Sequence, residues 1–186
     1  MRKNIIVVDD FYNNPKQVRS FALDQDFCIK GNYPGKRTEA PNTEKVVQSL
    51  MNTFSRLTGE KLVSWDLSNL QYNGAYQITL EEDETWIHTD ATKWACVVYL
   101  TPNAPLNSGT AFYRIPQEKI YCREDRRGKD HNNLDPRWVK SDVIANVFNR
   151  AVIYRGDMYH RSDLPGFGNT LYTGRLFQTF FFDTEI

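Results

Sequence analysis

The pattern of apolar and polar positions changes character about a third of the way along the chain. Before residue 60 the repeats are helical. Asn13-Asn14-Pro15 reads as a helix start, with Asn14 as cap and Pro15 at the first helical position, and Val18, Phe21 and Ala22 mark one apolar face. Thr43 predicts the cap of a longer helix. Val46, Val47, Leu50, Met51, Phe54 and Leu57 recur there at helical spacing, and Gly59 closes it. Ile5 to Val8 predicts a short buried strand, and Gly31-Asn32-Tyr33-Pro34-Gly35 a turn-rich loop.

From about residue 62 the texture is that of strands. The pattern predicts a strand at 67–76 and an apolar one at 93–100, covered on both faces. A loop of turn formers at 101–109 leads to a return strand at 110–115. One or two strands follow at 143–154, and an aromatic final strand at 175–183. Many strands joined by short turns, with helices gathered at the front, predict a mainly β, α+β fold: a sandwich or barrel with helical packing. Residues 116–142 interrupt the pattern with charges of both signs around His131. They read either as a solvated insertion or as a lid over a site.

The chain's 186 residues fit one domain, 1–186, long enough to bury roughly 70% of its unfolded surface. Formal net charge is zero, so no global field draws it toward nucleic acid or an anionic membrane. Cys28, Cys96 and Cys122 make an odd set without metal-type spacing, which argues for a reducing compartment. The apolar run near the N-terminus is too short for a signal segment, and no stretch approaches the ~20 apolar residues of a membrane span. A cytoplasmic location, with no nucleic-acid and no membrane partner, is the expectation.

Candidate chemistry centres on His88-Thr89-Asp90 and His160. Residues two apart on a strand share a face, so His88 and Asp90 can meet one ion, with a third ligand from another strand. His160 follows the turn Arg155-Gly156-Asp157 and is the expected third; His131 is the alternative. Two imidazoles and one carboxylate hold Fe(II) on one face and leave half an octahedron open. The competing reading is a pair of hydrogen-bonded, half-buried histidines. Arg175 opens the aromatic final strand, with Thr179 four residues on and on the same face. A guanidinium in such a core calls for a carboxylate, and a dicarboxylate's far end suits it. The alternative is an edge arginine that reaches solvent.

The order Tyr72-x-Gly74, Trp86-Ile-His88-Thr-Asp90, Val97-Val-Tyr99-Leu100, Ser108-Gly-Thr110-Ala-Phe112, His160-Arg-Ser162, Gly174-Arg175 resembles the 2-oxoglutarate and Fe(II)-dependent oxygenases, in their prolyl-4-hydroxylase-like branch. The similarity spans roughly residues 67–183. The N-terminal third, with its Tyr33-Pro34-Gly35 loop, looks like that of an uncharacterised subgroup. The resemblance implies a double-stranded β-helix, a jelly roll of cupin-like type, at 67–183, with 1–66 as helical support. It implies His88, Asp90 and His160 as metal ligands and catalytic centre. Arg175 and Thr179, with Tyr99 and Tyr72, would bind 2-oxoglutarate, and O2 would complete the cofactor set. It further implies hydroxylation of an amino-acid, peptide or small-molecule substrate, with release of succinate and CO2. The stretch 77–86 is longer and more acidic than the pattern, and 116–142 is unmatched by it. Other readings are a cupin-like metal enzyme that uses no 2-oxoglutarate and a non-catalytic jelly-roll binding module.

Overall fold

The computed structural model describes residues 3–41, 43–65, 73–115, 136–163 and 166–185. Tyr72, Cys122, His131 and most of the charged segment therefore lie outside the described residues, and so does most of the strand expected at 67–76.

The two helices form where the pattern places them. Helix α1 (Pro15–Leu23) starts at Pro15, whose missing N–H costs nothing in a first turn. Asn14 occupies the cap position, but its side chain makes no capping bond; its carbonyl accepts from Gln17 and Val18 instead. Helix α2 (Glu44–Thr58) is capped by the Thr43 hydroxyl, which accepts from the Val46 N–H, and ends at Gly59 in the left-handed region (φ 75°). Its inner face centres on Phe54, fully buried and stacked on Phe182 at 4.7 Å between ring centroids. Val46 shares the helical spacing but faces solvent.

The strands among the described residues are β1 (Ile5–Val8), β2 (Lys36–Arg37), β3 (Lys61–Ser64), β4 (Tyr76–Thr79), β5 (Trp94–Tyr99), β6 (Thr110–Arg114), β7 (Val139–Ile144), β8 (Ala151–Arg155), β9 (Tyr159–Ser162) and β10 (Arg175–Glu185). They pair antiparallel into a seven-stranded sheet, in the order β1-β8-β5-β10-β4-β2 with β3 beside the end of β10, and a three-stranded sheet β7-β6-β9. Among the described residues the protein is mainly β, with helices α1 and α2 on one side of the large sheet. No helix of the described residues is long and apolar enough to cross a membrane.

Strand β5 is buried at every position, as its unbroken apolar run requires. Trp94, Cys96 and Val98 join Phe54, Ile153, Phe180 and Phe182 in a core on the helix side. Ala95, Val97 and Tyr99 turn the other way and pack with Val152, Tyr154, Phe177 and Phe112 of the small sheet. This period-2 division gives the large sheet a second buried face, and the cleft described below opens on it.

Of the strand expected at 67–76 only residues 73–76 are described: Gly74 takes a positive φ of 91°, and β4 runs on from Tyr76 to Thr79. One boundary differs from expectation. Strand β7 begins at Val139, inside the segment read as an insertion. It is an exposed edge strand carrying Lys140 and Asp142, so its pairing with β6 leaves no hydrophobic alternation to detect.

Glu60, between α2 and β3, ties three strands together. Its Oε2 accepts from the Trp94 indole N–H at 3.0 Å and from the Thr184 hydroxyl, and Lys93 and Arg155 lie 3.1 and 3.6 Å from its carboxylate. Burial pushes its pKa up, but the hydrogen bonds from Thr184, Trp94 and Lys93 outweigh that and hold it at about 2, below the ordinary 4.5. A depressed carboxyl stabilises the fold above its unfolded pKa and loses that contribution as pH falls through the folded value. Glu60→Gln is therefore expected to cost about 2 kcal/mol at pH 7, and the deficit should shrink as pH falls from 4.5 to about 2. Urea unfolding of both proteins across that range checks it; a deficit constant with pH would assign the effect to packing.

Candidate functional site

His88 does not lie in a regular strand. It forms a single antiparallel bridge with His160 in β9, each backbone N–H donating to the other's carbonyl at 3.0 and 2.9 Å. Directly opposed residues in such a bridge project to the same side, and their ring centroids are 4.4 Å apart. Asp90, two residues on, is anchored by its own N–H to the Gly156 carbonyl at 2.7 Å. Only glycine fits at 156: a Cβ there would stand 2.2 Å from the Thr92 carbonyl oxygen and 3.2 Å from the Asp90 Cβ.

Both imidazoles are oriented alike. Nδ1 of His88 faces the Trp86 carbonyl at 3.0 Å and Nδ1 of His160 the Met158 carbonyl at 2.9 Å. A carbonyl can only accept, so each neutral ring carries its proton on Nδ1 and aims the Nε2 lone pair at the shared centre. Burial, then the neighbouring His88, lowers the His160 pKa to about 4 against the pull of Asp90, which keeps this ring neutral near pH 7. The ligand atoms of His88, Asp90 and His160 all lie within 4.8 Å of one another. His160 Nε2 and Asp90 Oδ2 are 3.4 Å apart, and among the described residues the buried Oδ2 has no hydrogen-bond donor. The Tyr154 hydroxyl meets His160 Nε2, but nothing compensates Asp90 Oδ2 among the described residues, and a cation at the shared centre would do so. Nitrogen and oxygen donors with an open side fit Fe(II), so these three residues could hold it.

The triad stands in a cleft of about 600 Å³, counting the solvent at its mouth. Its inner end holds Arg175, 2% exposed. The arginine does not reach solvent. Its Nε donates to the Ser108 carbonyl at 2.9 Å, and the guanidinium lies over the Phe177 and Tyr99 rings at 4.4 and 5.4 Å. Among the described residues no carboxylate pairs with it. Burial lowers its pKa, and Tyr99 pulls the other way. Tyr99 in turn shares a hydrogen bond of 2.7 Å with the Thr110 hydroxyl, and burial raises its phenol's pKa. Thr179 lines the same cleft, its hydroxyl directed at the Ala75 carbonyl at 3.4 Å. The fold thus brings His88, Asp90, His160, Arg175, Thr179 and Tyr99 together; Tyr72 is outside the described residues.

Sequence reasoning missed two parts of the site. Tyr154 places its hydroxyl 3.1 Å from His160 Nε2. Its signal was present, since it alternates with Val152 on the face of β8 that matches Val97 and Tyr99 across β5. The other part is an outer wall. Arg37 lies 3.8 Å over the Tyr33 ring and donates through Nε to Gln77 at 2.7 Å; Gln77 donates to the Pro34 carbonyl at 2.7 Å. Gly35 (φ 73°) lets this loop touch β4, where a Cβ would meet the Ile78 carbonyl at 2.0 Å. The wall comes from the N-terminal region, far from the triad in sequence.

A family described as "Family of unknown function (DUF6445)" matches residues 1–182. No curated protein matches the chain. Among solved structures the chain is similar to HygX from Streptomyces hygroscopicus, solved with nickel, 2-oxoglutarate and hygromycin B bound. The TM-score is 0.62 at 10% identity, over 95% of this chain and 81% of that one. It is also similar to a prolyl hydroxylase from Trichoplax adhaerens in complex with a hypoxia inducible factor peptide fragment, with TM-score 0.57 at 12% identity, over 97% and 84%. A third is the non-heme alpha ketoglutarate dependent epimerase SnoN from nogalamycin biosynthesis, with TM-score 0.62 at 11% identity, over 96% and 77%. At these identities the likeness is one of fold.

The environment of Arg175 makes a prediction of its own. Replacing a buried charge that has no counter-ion with an apolar side chain of similar size is neutral or stabilising. Arg175→Met should leave the ligand-free protein within about 1 kcal/mol of the parent, or more stable, by chemical denaturation. A loss above about 3 kcal/mol would mark the arginine as structural.

Proposed function

We propose that this chain, which belongs to the DUF6445 family of unknown function, is an Fe(II)- and 2-oxoglutarate-dependent oxygenase on a double-stranded β-helix. One observation carries the reading: a cleft holds a His-Asp-His triad with an orphaned carboxylate oxygen and, deeper in, a buried guanidinium with no protein carboxylate among the described residues. A keto diacid answers both needs. Its keto-acid end suits a metal with open positions, and its far carboxylate suits Arg175. A metal enzyme that uses no such acid has no use for the second feature. The bound ligands of the fold neighbours support the same choice of cofactors.

His88 and His160 would hold the metal through Nε2, and Asp90 through one carboxylate oxygen. Asp90 would also lower the net charge at the centre. Arg175 would bind the distal carboxylate, with Tyr99, Thr110 and Thr179 beside it. Phe177 lines the inner cleft with Phe112 packed in the core beside it, and such apolar walls would strengthen electrostatic contacts there. Tyr33, Pro34, Arg37, Trp86 and Phe181 at the mouth would receive a small-molecule or peptide substrate. Bound Fe(II) supplies the activation of O2. In the net reaction one oxygen atom enters the substrate's C–H bond as hydroxyl and the other enters succinate, with CO2 released. Two electrons come from the C–H bond and two from the keto acid.

Metal-free protein given Fe(II) and 2-oxoglutarate without air is expected to develop a visible charge-transfer band, and in air to form succinate. His88→Ala and Asp90→Ala should lose both. Arg175→Ala should keep metal binding but weaken 2-oxoglutarate by a hundredfold or more, since stripping one partner from a buried ion pair costs ~3–5 kcal/mol. Unchanged 2-oxoglutarate affinity in Arg175→Ala would remove that assignment, and absence of the band in the parent protein would remove the function.

A further inference from the structure

Arg175 is held by more than the rings it lies over. Its Nε donates to the Ser108 carbonyl at 2.9 Å, and Ser108 closes a 3₁₀ turn, Leu106–Ser108. That turn is gripped by Asn146, in the link between β7 and β8. The Asn146 backbone N–H donates to the Leu106 carbonyl at 3.0 Å. Its side-chain Nδ2 donates to the Ser108 hydroxyl at 3.0 Å and reaches the Ser108 carbonyl at 3.5 Å. The Ser108 hydroxyl in turn donates to the Pro105 carbonyl at 2.6 Å. Turn and link are in direct contact: a Cβ on Gly109 would stand 1.8 Å from the Ile144 carbonyl oxygen and 2.8 Å from the Asn146 nitrogen. Ser108 and Asn146 are both buried.

The Asn146 amide comes at a cost. Its Oδ1 is buried and, among the described residues, has no donor. A buried acceptor left unsatisfied opposes folding. Exchanging Nδ2 and Oδ1 would not relieve this, because an oxygen would then face the Ser108 carbonyl. An apolar residue would avoid the cost, so the amide's contribution lies on its N–H side, at Ser108. Resting on the reading of Arg175 as the clamp for the keto diacid's far carboxylate, we infer that Asn146 is a positioning residue for that clamp, acting through Ser108. The guanidinium donors are coplanar and fixed relative to one another, so the carbonyl that holds Nε also sets where the terminal nitrogens stand. A two-point contact with the far carboxylate requires that alignment. Asn146 does not line the cleft, and would act while contacting neither the metal nor the keto acid.

The test compares two keto acids on the full chain loaded with Zn(II), so that binding is read without turnover. 2-Oxoglutarate carries the far carboxylate; 2-oxopentanoate has the same chain length and lacks it. Calorimetry measures both in the parent, in Asn146→Ala and in Ser108→Ala, which keeps the carbonyl but removes the hydroxyl that Asn146 holds. Asn146→Ala is expected to weaken 2-oxoglutarate about fivefold to tenfold and to leave 2-oxopentanoate and Zn(II) unchanged. Ser108→Ala should lose the same preference, and the double variant no more than either single one, because the two residues act as one unit. Should Asn146→Ala not fold, Ser108→Ala carries the same comparison. Equal weakening of both acids, or weakening of neither, makes Asn146 a packing residue and overturns this inference while Arg175 keeps its role. A parent that binds no Zn(II), or that binds the two acids alike, overturns the reading beneath it and the inference as well.

Discussion

Two backbone hydrogen bonds, exchanged between His88 and His160, fix the geometry on which the site depends. They join a segment that makes no regular strand to the start of β9, and they force both imidazoles onto one side of the pair. Everything nearby is arranged around that bridge. Gly156 clears room for Asp90 to hang from its carbonyl, and the carbonyls two residues before each histidine set the tautomers. Because these anchors are backbone atoms, the donor set is held without depending on any exposed side chain. Preorganisation of this kind keeps ligand atoms in place before an ion arrives.

The cleft is electrostatically incomplete at both ends. An acceptor-rich triad sits at one, and a guanidinium among aromatic rings at the other. Burying groups in this way opposes folding unless something compensates for them. Elsewhere the same protein solves the problem fully. Glu60 collects an indole, a hydroxyl and two cations, and Asp9 pairs with Arg150. The satisfied Glu60 cluster contrasts with a cleft whose buried polar groups lack partners among the described residues, which is the ground of the proposed ligand.

The N-terminal region contributes more than packing. Helices α1 and α2 cover the large sheet on the side away from the cleft, while the loop between them passes to the other side and supplies Tyr33, Pro34 and Arg37. The stacked Arg37 and its bond to Gln77 give that wall a definite shape and a positive charge beside aromatic surface. The wall and the triad therefore belong to one cleft, although they lie some fifty residues apart in the chain.

Local chemistry determined much of this in advance. Both helices, the doubly covered strand β5 and the final strand β10 were legible because their signals are short-range: a cap, a 3.6-residue repeat, an unbroken apolar run. His88, Asp90 and Arg175 were legible because acids, imidazoles and a guanidinium stand out in apolar surroundings. What the chain could not reveal by itself was proximity. The edge strand β7 has no alternating apolar signal. Whether Arg175 reached solvent or stayed buried was decided by the rings of Tyr99 and Phe177 closing over it. Tyr154 resembled any core tyrosine until the β8–β9 turn folded His160 back onto its hydroxyl. Sequence determines what each residue is able to do; only the pairing of distant strands, set by which faces must be buried together, decides which residues do it to one another.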